Sequence, residues 1–310
     1  MSIAGTPVTE AYVIALDVGG TAMKGAVVGP DLRPVLTLNR PTPVRDGPQA
    51  VVEAIREVLA DLDTRALTRG IDPVRAGVVV PGIVDEELGE VRFSANLGFE
   101  DLPLARRLKG RLPVTVGHDV RAGGLAEAVL GAAAGTRDVA FLAVGTGIAA
   151  ALISDDHLLT GSGWAGEIGH LSVEQPGPPC ACGATGCLEA LASASAIAAE
   201  LSARTGRPVA GAAEVADRLL VGDRHARAVW DRAVEALAIA LAALTTVLAP
   251  ETVVIGGGLA ESGELLLDPL QRRLAARLTF QRPPRLVKAA LGERAGCIGA
   301  ALLAQRAMGR

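Results

Sequence analysis

The sequence predicts an α/β protein of two domains. Its 310 residues suggest two domains or one large one. Short apolar runs bounded by glycine and proline alternate with longer stretches of helical periodicity. The pattern of strand, glycine–threonine turn and strand occurs twice, first within residues 12–28 and again within 138–153. Half of the residues are hydrophobic and only 2% are aromatic, so the core must be built from Ala, Val, Leu and Ile.

Residues 1–10 have no basic segment followed by an apolar one, so no secretion signal is expected. Residues 12–17 form an apolar strand ending on Asp17. Gly19, Gly20, Thr21 and Lys24 then make the turn into a second strand at 25–28. Glycines let backbone N–H groups approach a phosphate, and Thr21 and Lys24 add donors. Asp17 at the strand end is placed to hold Mg²⁺, directly or through water. An ordinary glycine hairpin has the same local sequence.

A third strand is expected at 32–40, broken by Pro41 and Pro43. A helix follows at 49–68, with Val52, Ile55, Leu59 and Leu62 on one face, and it ends at Gly70. Residues 76–80 read as a buried strand stopped by Pro81-Gly82, the kind of strand end where open α/β sheets bind ligands. Within 91–97, Ser94 and Asn96 belong to an expected loop, where Asn96 either contacts substrate or caps a turn. A strand at 112–116 leads through Gly117-His118-Asp119 into a helix at 120–134. Asp119 is there a helix cap or a catalytic base. The second glycine turn, Gly145-Thr146-Gly147, lies between strands at 138–143 and up to 153. Two such turns could hold one polyphosphate from both sides.

Residues 163–189 organise the rest of the chain. They carry Cys180, Cys182 and Cys187, three of the four cysteines, with His170 ten positions before the first of them. Pro176, Pro178, Pro179, Gly177, Gly183 and Gly186 prevent regular structure. Three thiolates and one imidazole are a closed tetrahedral ligand set, which is the signature of structural zinc. The competing reading is an untethered loop with one disulfide, although Cys180 and Cys182 are too close in sequence to pair easily. Helices are then expected at 190–204, 213–220 and 224–249. The apolar run 236–249, closed by Pro250, is too short to span a bilayer and reads as a core helix. A strand at 252–255 meets Gly256-Gly257-Gly258, where backbone can approach a nucleotide, before a helix from about 263. A strand at 285–288 and a helix from about 295 end the chain.

The net charge is −4 and the basic residues are dispersed, so neither nucleic acid nor an anionic membrane is an expected partner. Cysteines clustered with a histidine fit a reducing cytoplasm better than a disulfide scaffold.

Taken together, Asp-x-Gly-Gly-Thr-x-x-Lys at 17–24, Gly-Thr-Gly at 145–147, Glu-x-Gly-His at 167–170, Cys-x-Cys-Gly-x-x-Gly-Cys-x-Glu at 180–189 and Gly-Gly-Gly at 256–258 resemble the ROK family of sugar kinases and sugar-responsive repressors. The resemblance runs from about residue 12 to the C-terminus. It implies an actin-like ATPase (ribonuclease H-like) fold, with two α/β domains around a cleft. The small domain would be residues 1–118 plus the helix at about 292–310, and the large domain would be 119–291. It implies ATP, with Mg²⁺, as phosphate donor. The phosphates would meet Asp17, Gly19, Gly20, Thr21, Lys24, Gly145, Thr146, Gly147 and Gly256, Gly257, Gly258. It also implies Asp119 as the base that takes a proton from a hexose 6-hydroxyl. Glu167, His170 and Glu189 would be sugar ligands, joined by Asn96 and His118. His170 would serve zinc as well, and the protein would be a homodimer.

One departure bears on the sugar. Glucokinases of this family usually carry asparagine where this chain has His118. An amide donates and accepts through one fork, whereas a neutral imidazole has one donor and one acceptor on opposite edges. An imidazole acceptor would suit an amino group, which makes kanosamine an alternative to glucose. The rivals are a sugar-responsive repressor and a non-catalytic sugar-binding relative. A repressor would need a helix-turn-helix domain, and about ten residues before the first strand cannot hold one. A non-catalytic relative would have no use for Asp17, Lys24 and Asp119.

Overall fold

The structure is a computed structural model that describes residues 11–308; residues 1–10, expected to carry no secretion signal, lie outside the described range. In chain order its strands and α-helices are β1 (Val13–Val18), β2 (Ala22–Val28), β3 (Pro34–Pro41), α1 (Pro48–Leu67), β4 (Arg75–Val80), β5 (Ile83–Asp85), β6 (Glu90–Ser94), β7 (Phe99–Leu102), α2 (Leu104–Arg107), β8 (Val114–His118), α3 (Asp119–Leu130), β9 (Val139–Val144), β10 (Ile148–Ser154), β11 (His157–Leu158), α4 (Leu188–Ala192), α5 (Ala194–Thr205), α6 (Ala212–Leu220), α7 (Arg224–Leu248), β12 (Thr252–Gly256), α8 (Glu264–Ala275), β13 (Arg285–Lys288) and α9 (Ala295–Arg306). They fall into two compact units. One runs through Val129, takes in His157–Ala165 and resumes at Glu293; the other is Leu130–Asp156 with Gly166–Gly292.

The first unit is built on a sheet in the order β3-β2-β1-β4-β8. The β1–β2 and β2–β3 pairs are antiparallel, while β1–β4 and β4–β8 are parallel. Helix α1 starts with Pro48 and buries Val51, Val52, Ile55, Val58, Leu62 and Ala66, a three-and-four spacing that gives one apolar face to β1 and β2. Helix α9 packs on β1, β4 and β8. A small second sheet, β5-β6-β7, belongs to this unit. The sequence was expected to be loop across part of it. Strand β6 buries Val91 and Ser94 but spans only five residues, too short for alternation to stand out.

The second unit repeats the same topology in its own sheet, where β10, β9, β12 and β13 are neighbours in that order. The β9–β10 pair is antiparallel, and β9–β12 and β12–β13 are parallel. Helix α7 is the central helix, packed by α4, α5, α6 and α8. Its start is fixed by Asp223, which accepts from the N–H groups of His225 at 2.7 Å and Ala226 at 3.3 Å. Pro269 lies inside α8 and cannot donate to the Leu265 carbonyl; Trp230 Nε1 donates to that oxygen instead, at 3.2 Å. Among the described residues, no helix is long and apolar enough to cross a membrane.

Several expected elements shift, among them the strand expected at 25–28, which is β2 (Ala22–Val28), and the one expected at 112–116, which is β8 (Val114–His118). The helix expected at 190–204 is two helices, α4 and α5, broken at Ser193. That residue is extended (φ −66°, ψ 154°) and its hydroxyl caps Ala196 N. The helix expected to 134 stops at Leu130, where Gly131 opens a turn closed by Ala134 N on its carbonyl. The strand expected from 32 begins at Pro34, because Leu32 sits in a left-handed turn (φ 60°).

Candidate active site

In the first unit, the β1–β2 register sets Asp17 opposite Lys24. Gly19 N bonds Ala22 O at 2.9 Å and closes the turn between them. Thr42 then clamps the turn, with Oγ1 donating to Gly19 O at 2.6 Å and N donating to Thr21 O at 3.0 Å. Asn96 lies against Gly20, close enough that a Cβ on the glycine would sit 3.5 Å from the Asn96 Cβ. Lys24 Nζ is 2.9 Å from the exposed carboxylate of Glu293. Burial, reinforced by the nearby Asp119 charge and opposed by Lys24, pushes the Asp17 carboxyl up to about 7.

Asp119 is the first residue of α3, directly after β8. Its Oδ1 accepts from Val120 N at 2.7 Å, and His118 Nε2 stands 3.5 Å away. His118 is buried, and desolvation followed by the Arg121 charge pulls its pKa down to about 3, so the ring is neutral. Arg121 N donates to His118 Nδ1 at 3.2 Å, which leaves the proton on Nε2. The acceptor edge on which the amino-sugar expectation relied is therefore already engaged. Arg121 itself is 1% exposed. Its Nε donates to Glu86 Oε1 at 2.8 Å, and the guanidinium also bonds the carbonyls of Val84 at 2.9 Å and Gly163 at 3.2 Å. Sequence reasoning missed Thr42, Glu86 and Arg121. Arginine in the small-residue run Arg121-Ala122-Gly123-Gly124 is a signal that could have found one of them.

In the second unit, the segment holding Glu167 and His170 lies flat on β10. Ala150 N donates to Gly166 O at 2.7 Å. A Cβ at Gly166 would fall 2.1 Å from Ala150 O and one at Gly169 would fall 2.2 Å from Ile148 O, so only glycine allows this approach. His170, Cys180, Cys182 and Cys187 come together with all ligand atoms within 4.8 Å of one another. Cys182 Sγ and Cys187 Sγ are 3.7 Å apart, and His170 Nδ1 is 3.7 Å from Cys180 Sγ. Sulfurs bonded at about 2.3 Å to a tetrahedral zinc stand about 3.8 Å apart, so donor type and spacing both fit zinc. The loop is pre-folded by Cys180 N to Ala184 O at 2.8 Å, Gly186 N to Pro178 O at 2.8 Å and Leu188 N to Leu171 O at 2.9 Å. The fourth cysteine, Cys297, belongs to the first unit and donates to Lys24 O at 2.9 Å.

Glu189 is the second residue of α4, two residues after Cys187, and its Oε2 accepts from Ile148 N at 2.8 Å. It thus touches the second glycine turn. The triple glycine packs beside the strand end that leads into that turn: Gly257 (φ +81°) lies so close to Val144 that a Cβ would fall 2.5 Å from Val144 O. Gly256-Gly257-Gly258, far away in sequence, thus lies next to the residue that precedes Gly145.

The two units, each built on a sheet of the same topology, have the actin-like ATPase fold. Residues 13–307 match the sequence profile of the ROK family, and the chain belongs to that family. It is 35% identical to the glucokinase of Thermotoga maritima over 318 residues, covering 96% of this chain and 98% of that protein. It is 33% identical to an N-acetylmannosamine kinase of Citrobacter koseri, covering 94% of this chain and 98% of that one. A crystal structure of a ROK family glucokinase from Streptomyces griseus, in complex with glucose and AMPPNP, superposes with a TM-score of 0.79 at 30% identity, covering 96% of this chain and all of that one. The chain is thus glucokinase-like, a sugar kinase by the relatives it matches.

Proposed function

We propose that this protein transfers a phosphoryl group from MgATP to the 6-hydroxyl of a hexose, that Asp119 is the general base, and that glucose is preferred to kanosamine. The observation that carries the reading is the carboxylate of Asp119 at the β8–α3 junction, steadied by Val120 N and electrostatically coupled to Asp17. Phosphoryl transfer has a loose transition state, so positioning and charge neutralisation supply most of the catalysis. Asp119 orients and deprotonates the attacking hydroxyl. Lys24 and the amides of Gly20, Thr21, Thr146, Gly147 and Gly256–Gly258 offset the phosphate charge, and Asp17 is the residue that would hold Mg²⁺. Asn96, His118, Glu167, His170 and Glu189 bind sugar hydroxyls, with His170 turning Nδ1 to the zinc set and Nε2 to the sugar.

The engaged Nδ1 of His118 leaves an N–H donor, which suits a hydroxyl and opposes an ammonium. Placing an amino group there loses a buried hydrogen bond worth about 1–3 kcal/mol. Kinetic comparison should give kcat/KM roughly tenfold or more higher on glucose than on kanosamine, and His118→Asn, whose amide can also present an acceptor, should narrow that preference. A kanosamine preference that reverses in His118→Asn would restore the amino-sugar reading.

Zinc would be bound by His170, Cys180, Cys182 and Cys187 and would fix the loop between Glu167 and Glu189. Metal analysis should find one zinc per chain. Cys187→Ser should lose it and lower Tm by about 10 °C or more, since site assembly contributes several kcal/mol to folding. Full thermal stability without metal would remove zinc from the account.

A further inference from the structure

The Gly145–Gly147 turn is gripped by the segment that follows the cysteine loop. Ala194 N donates to Gly145 O at 2.8 Å, and Ser195 Oγ donates to Thr146 O at 2.6 Å. Gly145 N closes the turn on Gly147 O at 2.9 Å. Glu189 Oε2 stands against Gly147, close enough that a Cβ there would fall 2.7 Å from it. All three carbonyl oxygens of the turn are therefore engaged with N–H or O–H donors of this unit.

That arrangement matters for an anion. A carbonyl oxygen facing a phosphate repels it, while an N–H attracts it, so a turn binds phosphate only when its peptides are oriented consistently. Of the three carbonyls, only that of Thr146 is held by a side chain. The Thr146–Gly147 peptide is also the one that turns over most easily, because glycine accepts positive and negative φ with similar ease. Thr146 and Ser195 are both exposed, and with Cys180, Glu189 and Ser193 they line an open cavity of about 290 Å³.

We infer that Ser195 is a positioning residue for the nucleotide: its hydroxyl keeps the Thr146 carbonyl turned away from the phosphates, so that the turn presents donors to them. Nothing in the sequence motifs marks Ser195. The inference rests on the reading that this turn holds nucleotide phosphates. Loss of the hydroxyl frees the peptide to flip, which weakens MgATP without touching the sugar or the base. Ser195→Thr keeps the hydroxyl.

The test is steady-state kinetics in both substrates, with calorimetric titration of Mg·AMPPNP and a thermal melt for each variant. Ser195→Ala should raise KM for MgATP tenfold or more, and weaken Mg·AMPPNP in parallel. The glucose KM should be unchanged, kcat within about threefold and Tm within about 2 °C, with Ser195→Thr close to the wild type. An unchanged KM for MgATP in Ser195→Ala overturns the inference and leaves the kinase reading standing. Equal damage in Ser195→Ala and Ser195→Thr, with a lowered Tm, overturns it in favour of simple support of α5. A wild-type protein that neither binds Mg·AMPPNP nor phosphorylates a hexose sinks the kinase reading, and this inference with it.

Discussion

Asp119→Asn is expected to reduce kcat by about 10²–10⁴ while leaving the affinity for glucose within a few fold. Asparagine keeps the shape of the side chain, and its amide oxygen still accepts from Val120 N, which lies 2.7 Å from Oδ1 in the native protein. What disappears is the ability to take a proton as the hydroxyl attacks. The variant separates binding from chemistry, because a group needed only in the transition state lowers kcat and kcat/KM together and spares ground-state affinity. Calorimetric titration with glucose, beside a coupled assay of ADP release, reads both quantities. Turnover within tenfold of wild type would move the base elsewhere. Loss of glucose binding would make Asp119 a sugar ligand first and a base second. A contrasting variant is Glu86→Gln. Glu86 touches Arg121 and the backbone N–H of His118 rather than the proposed substrate, so its effect should be spread over KM and kcat.

Residues close in sequence were legible in advance, and residues joined only by the fold were not. Cys180, Cys182, Cys187 and His170 fall within 18 residues of chain, and the fold brings their ligand atoms together as the sequence suggested. The glycine turns were readable as turns because backbone packed that closely has few side-chain solutions. By contrast, Thr42 clamps Gly19 from 23 residues away, and Arg121 reaches Glu86 from 35. Their side chains would serve equally well on a surface, so nothing local distinguishes them. His118 shows a subtler limit. The sequence correctly suggests a neutral imidazole with one acceptor and one donor, but which edge faces outward depends on Arg121 N, a backbone group that every residue possesses. The break at Ser193 was hidden because an alanine-rich run favours helix on both sides of it, and only the cap geometry reveals the interruption.

Asp17→Asn should stabilise the nucleotide-free protein above pH 7 and disable it as a kinase. The folded-state carboxyl is raised to about 7 from an ordinary value of 3.8, first by burial and then by Asp119, with Lys24 opposing. A raised carboxyl pKa means that the native state holds its proton more tightly than the unfolded chain does. Between 3.8 and about 7 the unfolded state has lost that proton and the native state has not, so stability falls as pH rises. The shift corresponds to at most about 4 kcal/mol, reduced by whatever water reaches the carboxylate. The groups that face Asp17 sharpen the prediction. Lys24 is opposite on β2, and Cys297 on α9 has a thiol that burial pushes up to about 12, so the thiol stays neutral between pH 5 and 8. Melting curves of zinc-loaded, magnesium-free protein should therefore show wild type and Asp17→Asn converging below pH 4 and separating steadily to about pH 8, with the variant higher. Parallel curves would mean that Asp17 is not the group responsible. The same carboxylate, costly to ionise alone, is favourably ionised beside a divalent cation, so Mg²⁺ should shift its titration downward. Addition of MgATP should then raise the wild-type Tm at pH 8 by several degrees and leave Asp17→Asn nearly unmoved. The charge that weakens the empty protein would thus be the one that recruits the metal–nucleotide complex.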